Sequence, residues 1–265
     1  MSVLEITNEG HVRKLRLNRP EKMNALSDEL AWGIVSAVEE AAKDDSVWVV
    51  AITGTDKAFC SGLDLTPSPN GTHRYLSTQD ALLDDIGWVG KFPLALREGC
   101  DKPIVAGLNG VAVGAGLSLA MAADIRIAAE GVRLIAGYPR IGGSPDAGLS
   151  WTLPQAIGYE QAMRFLLENR TVGAEEALAL GMVGEIVPAD SFAERFDEYC
   201  QSLTKLSPIT ARLTKRVVRH ATKLDDAEAH FRYELQSIRR AFTSEDGQEA
   251  RTAFQEKRDP QFKGS

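Results

Sequence analysis

The sequence predicts a protein of the α/β class, with a core of parallel strands and helices followed by a helical C-terminal region. Three observations predict it. A strand, a helix and a strand follow one another near the N-terminus, a glycine-interrupted apolar segment occupies residues 103–124, and helical spacing dominates from Leu153 onward. We therefore expect an α/β core over residues 1–200 and a helical region over residues 201–265.

The first elements follow from hydrophobic periodicity. Residues 3–7 and 12–17 alternate apolar and polar side chains on either side of a turn, which predicts a β-hairpin. Ser27 is a good N-cap for a helix whose buried face carries Leu30, Ile34, Val38 and Ala41. The β-branched run at residues 47–53 then predicts a buried strand, and parallel strands need a helical crossover between them.

The central segment, residues 103–124, predicts a strand, a tight turn at Asn109-Gly110 and a helix that begins after Gly114. A helix that begins on glycines leaves its first N–H groups free and unshielded, so an oxyanion can approach them. The glycines and Asn109 argue against a membrane span. A dinucleotide-binding glycine motif would follow the first strand, whereas about a hundred residues precede this one and no Tyr-xxx-Lys pair follows it.

The rest of the chain contains a possible lid and further predicted helices and strands. Residues 58–65 form another glycine-punctuated segment, and the polar loop 67–78 has the composition of a lid over a site. Further periodic or apolar segments predict a helix at 81–96, a strand at 125–129 and helices at 160–168, 174–180, 192–206, 210–221 and 226–242.

Composition excludes several classes of function. The net charge of −7 and the pI near 5.3 argue against binding to nucleic acid or to an anionic membrane. Cys60, Cys100 and Cys200 are odd in number and widely spaced, so neither a disulfide framework nor a metal site is expected. The first residues lack a basic and an apolar signal region, and we expect a cytoplasmic protein.

Several segments, taken in order, resemble the crotonase (enoyl-CoA hydratase/isomerase) superfamily; they are residues 17–26, 58–65, 109–118, 169–183 and 256–263. The resemblance implies a repeated ββα spiral core and a C-terminal helical region used in trimerisation, giving a homotrimer or a dimer of trimers. It also implies an acyl-CoA thioester substrate, with coenzyme A as part of the substrate and no separate cofactor.

The resemblance further implies that the backbone N–H groups of Leu63 and Ala115 hold the thioester carbonyl. The family usually has glycine at the second of these positions, and the methyl group of Ala115 would restrict the shape of the acyl group. For the coenzyme A moiety the resemblance points to Lys22, Ala25, Leu26 and Lys57, to Ser61, Gly62 and Gly114 beside them, and to Lys263, which would reach a neighbouring subunit's ligand.

The chain departs from the hydratase pattern where that pattern has two glutamates. Ser118 and Tyr138 occupy those positions, and neither can act as a carboxylate base. Asp146 remains available, as the base of a one-carboxylate isomerase, as the nucleophile of a 4-chlorobenzoyl-CoA dehalogenase, or as the N-cap of a helix beginning near Ala147. Ser118, Tyr138 and Arg140 would position water or the acyl tail.

The preferred function is double-bond isomerisation of an enoyl-CoA with Asp146 as the single base. Dehalogenation with Asp146 as nucleophile, hydration in an atypical site, and acyl-CoA binding without turnover remain as alternatives. The dehalogenases use a histidine in the helix before the central strand, where this chain has none, and a tryptophan about where Tyr138 lies. His73, in the predicted lid, is the one histidine retained as a candidate, and a hydrolase centred on Ser118 lacks a His–acid pair.

Overall fold

The computed structural model describes residues 2–66, 76–223 and 225–265. The strands are Leu4–Glu9 (β1), Val12–Leu17 (β2), Val49–Gly54 (β3), Ala58–Cys60 (β4), Ile104–Leu108 (β5), Val111–Val113 (β6), Ile125–Ala129 (β7), Arg133–Ile135 (β8), Thr171–Gly173 (β9) and Glu185–Val187 (β10). The helices are Asp28–Lys43 (α1), Thr78–Leu83 (α2), Gly87–Leu94 (α3), Ala115–Ala122 (α4), Leu149–Ile157 (α5), Tyr159–Glu168 (α6), Ala174–Leu180 (α7), Phe192–Leu203 (α8), Pro208–Ala221 (α9), Ala227–Thr243 (α10) and Glu245–Glu256 (α11).

The strands form two sheets that share a repeating chain order. The larger sheet has the order β1-β2-β3-β5-β7-β10, and the smaller has β4-β6-β8-β9. Each of β3, β5 and β7 passes into a short strand of the smaller sheet before the chain enters a helix. This repeated ββα unit is the expected spiral, and it brings α4 and α5 into contact with each other.

The hairpin and the buried strand form as predicted. In β1 and β2, Glu9 pairs with Val12 across a two-residue turn in which Gly10 has a φ of +57°. β3 runs parallel to both β2 and β5 and is buried over its first four residues. The Ser27 side chain caps α1 by accepting the Leu30 N–H, and α1 buries the predicted apolar face.

The predicted helix over 81–96 is wrong as a single element. The chain is helical in α2 and again in α3, with a break between them at residues 84–86. Gly87 adopts a left-handed φ of +58°, and Asp84 Oδ1 accepts the N–H groups of Ile86 and Gly87, so the side chain competes with the helical hydrogen bonds. A five-residue turn, Ala95–Gly99, then leads towards β5.

The C-terminal part of the chain is helical, as expected. The predicted boundary at residue 200 falls inside α8, which continues to Leu203 because Phe192, Phe196 and Cys200 pack against the larger sheet. α9, α10 and α11 follow, and the last residues fold back so that Lys263 N–H and Gly264 N–H donate to Asp246.

The predicted lid, residues 67–78, lies mostly outside the described residues, although its last residue begins α2. Within the described ranges, no helix combines the length and apolarity needed to cross a bilayer.

Candidate active site

The two glycine-punctuated segments, residues 58–65 (the first segment) and residues 109–118 (the second segment), pack directly against each other. β4 and β6 are parallel neighbours, and α4 begins two residues after β6. A Cβ atom at Gly116 would lie 2.3 Å from the Cys60 carbonyl oxygen, and one at Gly62 would lie 2.7 Å from the Val113 carbonyl oxygen. Only glycine permits this approach of backbone to backbone, so both segments form one site.

Two backbone N–H groups lie free where the segments meet. Leu63 forms a parallel bridge with Leu26 in which Gly62 and Asp64 supply the hydrogen bonds, so the Leu63 N–H points to the other side. Ala115 is the first residue of α4, where an N–H has no helical acceptor. Neither N–H donates to an acceptor within the described part of the chain. A Cβ at Gly62 would be 3.8 Å from Ala115 N, which shows how close the two segments come.

Asp146, Tyr138 and Ser118 form a hydrogen-bonded group. The Tyr138 hydroxyl donates to Asp146 Oδ1 at 2.9 Å and lies 3.3 Å from Ser118 Oγ. Ser118 and Tyr138 are buried, whereas Asp146 is half-buried. A Cβ at Gly114 would lie 3.9 Å from the Tyr138 ring, which places this group beside the start of α4. The structure therefore brings together the residues that the sequence marked as the chemical centre.

The Tyr138 phenol stays protonated and acts as a donor. Burial raises its pKa well above the ordinary value, and the charge of Asp146 raises it further, while the hydrogen bond from Ser118 opposes the shift. Because Tyr138 gives its only proton to Asp146, the Ser118 hydroxyl points to the Tyr138 oxygen or to the carbonyls of Gly114 and Asp146, at 3.1 and 3.3 Å.

The helix-cap role considered for Asp146 is absent. α5 begins at Leu149 with Gly148 as its N-cap, and no side chain of the described residues caps it. Ala147, between Asp146 and this cap, has a φ of +50°, a left-handed conformation that is unfavourable for a residue with a Cβ. Asp146 directly precedes this strained position, and its carboxylate accepts from Tyr138 and not from the start of α5.

The residues expected around coenzyme A are only partly assembled. Ser61 Oγ donates to the Lys22 carbonyl, and the bridge from Leu26 to Leu63 joins the N-terminal motif to the first segment. Ala25, Leu26, Gly62 and Gly114 are buried, whereas Lys22 and Lys57 are exposed. Lys263 lies on the C-terminal tail beside Asp246, apart from this group within the chain.

Three further residues, Arg19, Asn24 and Asp64, fix the first segment in place, a role that the sequence motifs did not predict. Asn24, fully buried with a φ of +56°, donates to the carbonyls of Thr55 and Ala58 and accepts from Arg19 N and the Thr55 hydroxyl. Arg19 pairs with Asp64 at 2.7 Å, and the bonds from Arg19 and Thr66 lower the pKa of that carboxyl to about 2. The sequence signal that could have predicted this role is the presence of Arg19 and Asn24 in residues 17–26 and of Asp64 beside the glycine of residues 58–65.

The other reactive side chains are placed elsewhere or are inert. Burial raises the pKa of the Cys60 thiol to about 12, so it remains a thiol under the first segment. His11 stacks on Trp48, and His220 and His230 bond to each other between α9 and α10. His73 lies outside the described residues. Across the described ranges, no group of three or more His, Cys, Asp or Glu side chains is arranged to hold a metal ion.

The chain is similar to known proteins over nearly its whole length. The model of the enoyl-CoA hydratase/isomerase family matches residues 7–265. The 1,2-epoxyphenylacetyl-CoA isomerase of Escherichia coli is 31% identical, with 96% of this chain and 97% of that protein covered. The 2,3-dehydroadipyl-CoA hydratase of the same organism is 31% identical over the full length of both chains.

Solved structures show the same architecture. An enoyl-CoA hydratase from Bacillus anthracis superposes with a TM-score of 0.89 at 28% identity, covering 99% of this chain and 100% of that one. The α/β fold with its repeated unit, expected from the sequence, is confirmed by this likeness.

Proposed function

Because the chain belongs to the enoyl-CoA hydratase/isomerase family, and the described residues of its site include one carboxylate where hydratases use two, we propose that it moves the double bond of an enoyl-CoA with Asp146 as the only base. The observation that carries this proposal is the group formed by Asp146, Tyr138 and Ser118. An aspartate with a phenol donor and a serine can transfer a proton, but it lacks the second carboxylate that would activate water. One relative is itself named an isomerase.

The proposed reaction begins with a 3-enoyl-CoA thioester. Asp146 removes a proton from C2, next to the thioester carbonyl, and the electron pair is delocalised onto the carbonyl oxygen as a dienolate. The N–H groups of Leu63 and Ala115 donate to that oxygen and stabilise the charge as it forms. The protonated Asp146 then returns the proton to C4, which gives the 2-enoyl-CoA and restores the carboxylate.

The two oxygens of Asp146 have different surroundings. Oδ1 accepts the Tyr138 hydroxyl, whereas Oδ2 accepts no hydrogen bond from the described residues. We assign proton transfer to Oδ2, with Tyr138 and Ser118 fixing the plane of the carboxylate. The coenzyme A moiety would lie along Lys22, Ala25, Leu26, Lys57, Ser61 and Gly62, and the proposed reaction uses no separate cofactor.

The test uses 2-enoyl-, 3-enoyl- and 4-halobenzoyl-CoA thioesters with the wild-type protein, Asp146→Asn and Asp146→Ala. We expect turnover of the 3-enoyl thioester and a loss of about a thousandfold in kcat for both variants, because they lack the base. Asp146→Asn retains the size of the side chain and an acceptor for Tyr138, so its melting temperature should stay close to wild type. Product identity is followed by chromatography of the thioesters.

Other outcomes would redirect the assignment. Isomerisation at the wild-type rate by Asp146→Asn would contradict the proposed base. Halide release from 4-halobenzoyl-CoA would instead make Asp146 a nucleophile. Hydration of the 2-enoyl thioester as the main activity would contradict the isomerase assignment. Thioester binding without any turnover would favour the non-catalytic alternative.

The C-terminal region supports a proposal on assembly. α9 and α10 expose Val218, Phe231, Leu235, Ile238 and Phe242, and a groove of about 440 Å³ between them is lined by Leu213, Val217 and Leu235 among others. An exposed apolar face of this kind is usually covered in the functional state. We propose that it is the contact between copies in a homotrimer or a dimer of trimers.

A further inference from the structure

Asn169 lies at the junction between α6 and β9, outside the group of residues assigned to the reaction. It follows the last residue of α6 and has a φ of +50° and a ψ of +34°. Glycine is the residue that best suits this left-handed position at a helix end, and asparagine is the usual substitute. The backbone alone therefore does not explain why a side chain is present here.

The Asn169 side chain has a specific partner. Its Oδ1 accepts the Gly137 N–H at 2.7 Å, across 32 positions of the chain. Gly137 has a φ of +80° and precedes the short turn Tyr138–Ile141, which no other side chain in the described ranges caps. The amide of Asn169 thus fixes the residue directly before Tyr138.

The position of this bond follows from strand register. β8 and β9 pair in antiparallel register, with Arg133 opposite Gly173 and Ile135 opposite Thr171. Continuing that register by two residues places Gly137 opposite Asn169. The left-handed turn diverts the Asn169 backbone from the ladder, and its side-chain carbonyl takes the place of the missing backbone acceptor.

We propose that Asn169 is a positioning residue for the reaction, acting through Tyr138 on the carboxylate of Asp146. This inference rests on the proposed function. Gly137 also contacts the second segment, since a Cβ there would lie 2.8 Å from Val113, so the turn is held from two sides. Loss of the hydrogen bond from Gly137 N–H to Asn169 Oδ1 removes one of these two restraints. The Tyr138 phenol can then move relative to Asp146, to which it donates at 2.9 Å.

The test compares Asn169→Gly, which keeps the backbone conformation and deletes the acceptor, with Asn169→Asp, which keeps both. For isomerisation of the 3-enoyl thioester, we expect Asn169→Gly to lower kcat about tenfold to a hundredfold with KM within about twofold, as misplacement of a catalytic group does. Asn169→Asp should recover most of that loss. If Asn169 only stabilised the fold, Asn169→Gly would lower the melting temperature without lowering kcat, and that result would overturn the inference.

A double-mutant cycle with Tyr138→Phe identifies the route of the effect. If Asn169 acts through the Tyr138 hydroxyl, Asn169→Gly should have little further effect on kcat in the Tyr138→Phe background. Full additivity of the two losses would overturn the inference.

A crystal structure of Asn169→Gly provides a readout that does not need turnover. We expect the 137–138 turn to shift and the Tyr138–Asp146 distance to lengthen, and an unmoved turn would overturn the inference. Wild-type activity in Asp146→Asn would contradict the proposed function instead, and the crystallographic comparison would still decide the role of Asn169.

Discussion

At the scale of single residues, Ala115 contributes to the proposed reaction through its backbone N–H and not through its side chain. Its N–H is free at the first position of α4, where proline is accepted because its fixed φ suits the helix and its missing N–H had no partner. Gly114 before it has a ψ of −123°, outside the right-handed helical region that a following proline disfavours. A substitution can therefore delete this donor with little disturbance of the helix.

We expect Ala115→Pro to lower kcat by a factor of about 10² to 10³ while the protein remains folded, since loss of one donor to a developing oxyanion has this cost. Ala115→Gly is the matched control because it retains the N–H and removes only the methyl group. Steady-state kinetics and thermal melts of both variants check the prediction. Equal kcat in the two would show that this N–H does not hold the carbonyl.

Asp64 supplies a pH-dependent contribution to stability. Its pKa is about 2 in the folded protein and about 3.9 in an unfolded chain, because Arg19 bonds to the carboxylate. A lowered folded pKa stabilises the protein above the unfolded pKa, and the contribution disappears as the pH falls from about 4 towards 2. The effect is at most about 2 kcal/mol, since the pair is partly solvated.

Urea denaturation at pH 6 and pH 3, at one protein concentration, tests this contribution. The wild-type protein should lose more free energy of unfolding between the two pH values than Asp64→Asn, by up to about 1 kcal/mol, because a folded pKa of about 2 leaves roughly half of the contribution in place at pH 3. Other carboxylates titrate in both proteins, so only the difference is informative. Parallel losses would contradict a stabilising pair between Arg19 and Asp64.

At the scale of elements, sequence periodicity predicts segments that are long and regular. The α1 helix and the hairpin follow from their spacing, and Ser27 caps α1 as expected. β9 and β10 have three residues each, too few for a period to be seen. The break between α2 and α3 depends on Asp84 bonding to the next backbone groups, which a count of apolar residues does not include.

In the candidate site, too, local features follow from the sequence, whereas contacts between distant segments do not. The glycines of both segments predict free N–H groups because their effect is local. The contact of Tyr138 with Asp146 depends on how one turn packs over α4, and the bond from Asn169 depends on strand register. The sequence therefore predicts which residues belong to the candidate site, whereas the hydrogen bonds between them are seen only in the structure.

At the scale of the whole molecule, the exposed face of α9 and α10 controls assembly in our proposal. Leu235 is 56% exposed and lines the groove between these helices. A charge there would have to be buried in the contact, so we expect Leu235→Glu to reduce the oligomer to smaller species. Leu82→Glu, at an 82% exposed position on α2, is the control. Sedimentation velocity at several concentrations checks both, and an unchanged oligomer in Leu235→Glu would contradict the proposed contact.

The left-handed backbone at Ala147 has a consequence for evolution and engineering. Glycine would adopt that φ of +50° without steric cost, so the alanine holds a backbone strain that its buried methyl group offsets by packing in the core. The same methyl group is buried and narrows the conformations open to the adjacent Asp146. A glycine at this position would relieve the strain and loosen the backbone beside the proposed base, so at residue 147 relief of backbone strain and precise placement of Asp146 oppose each other.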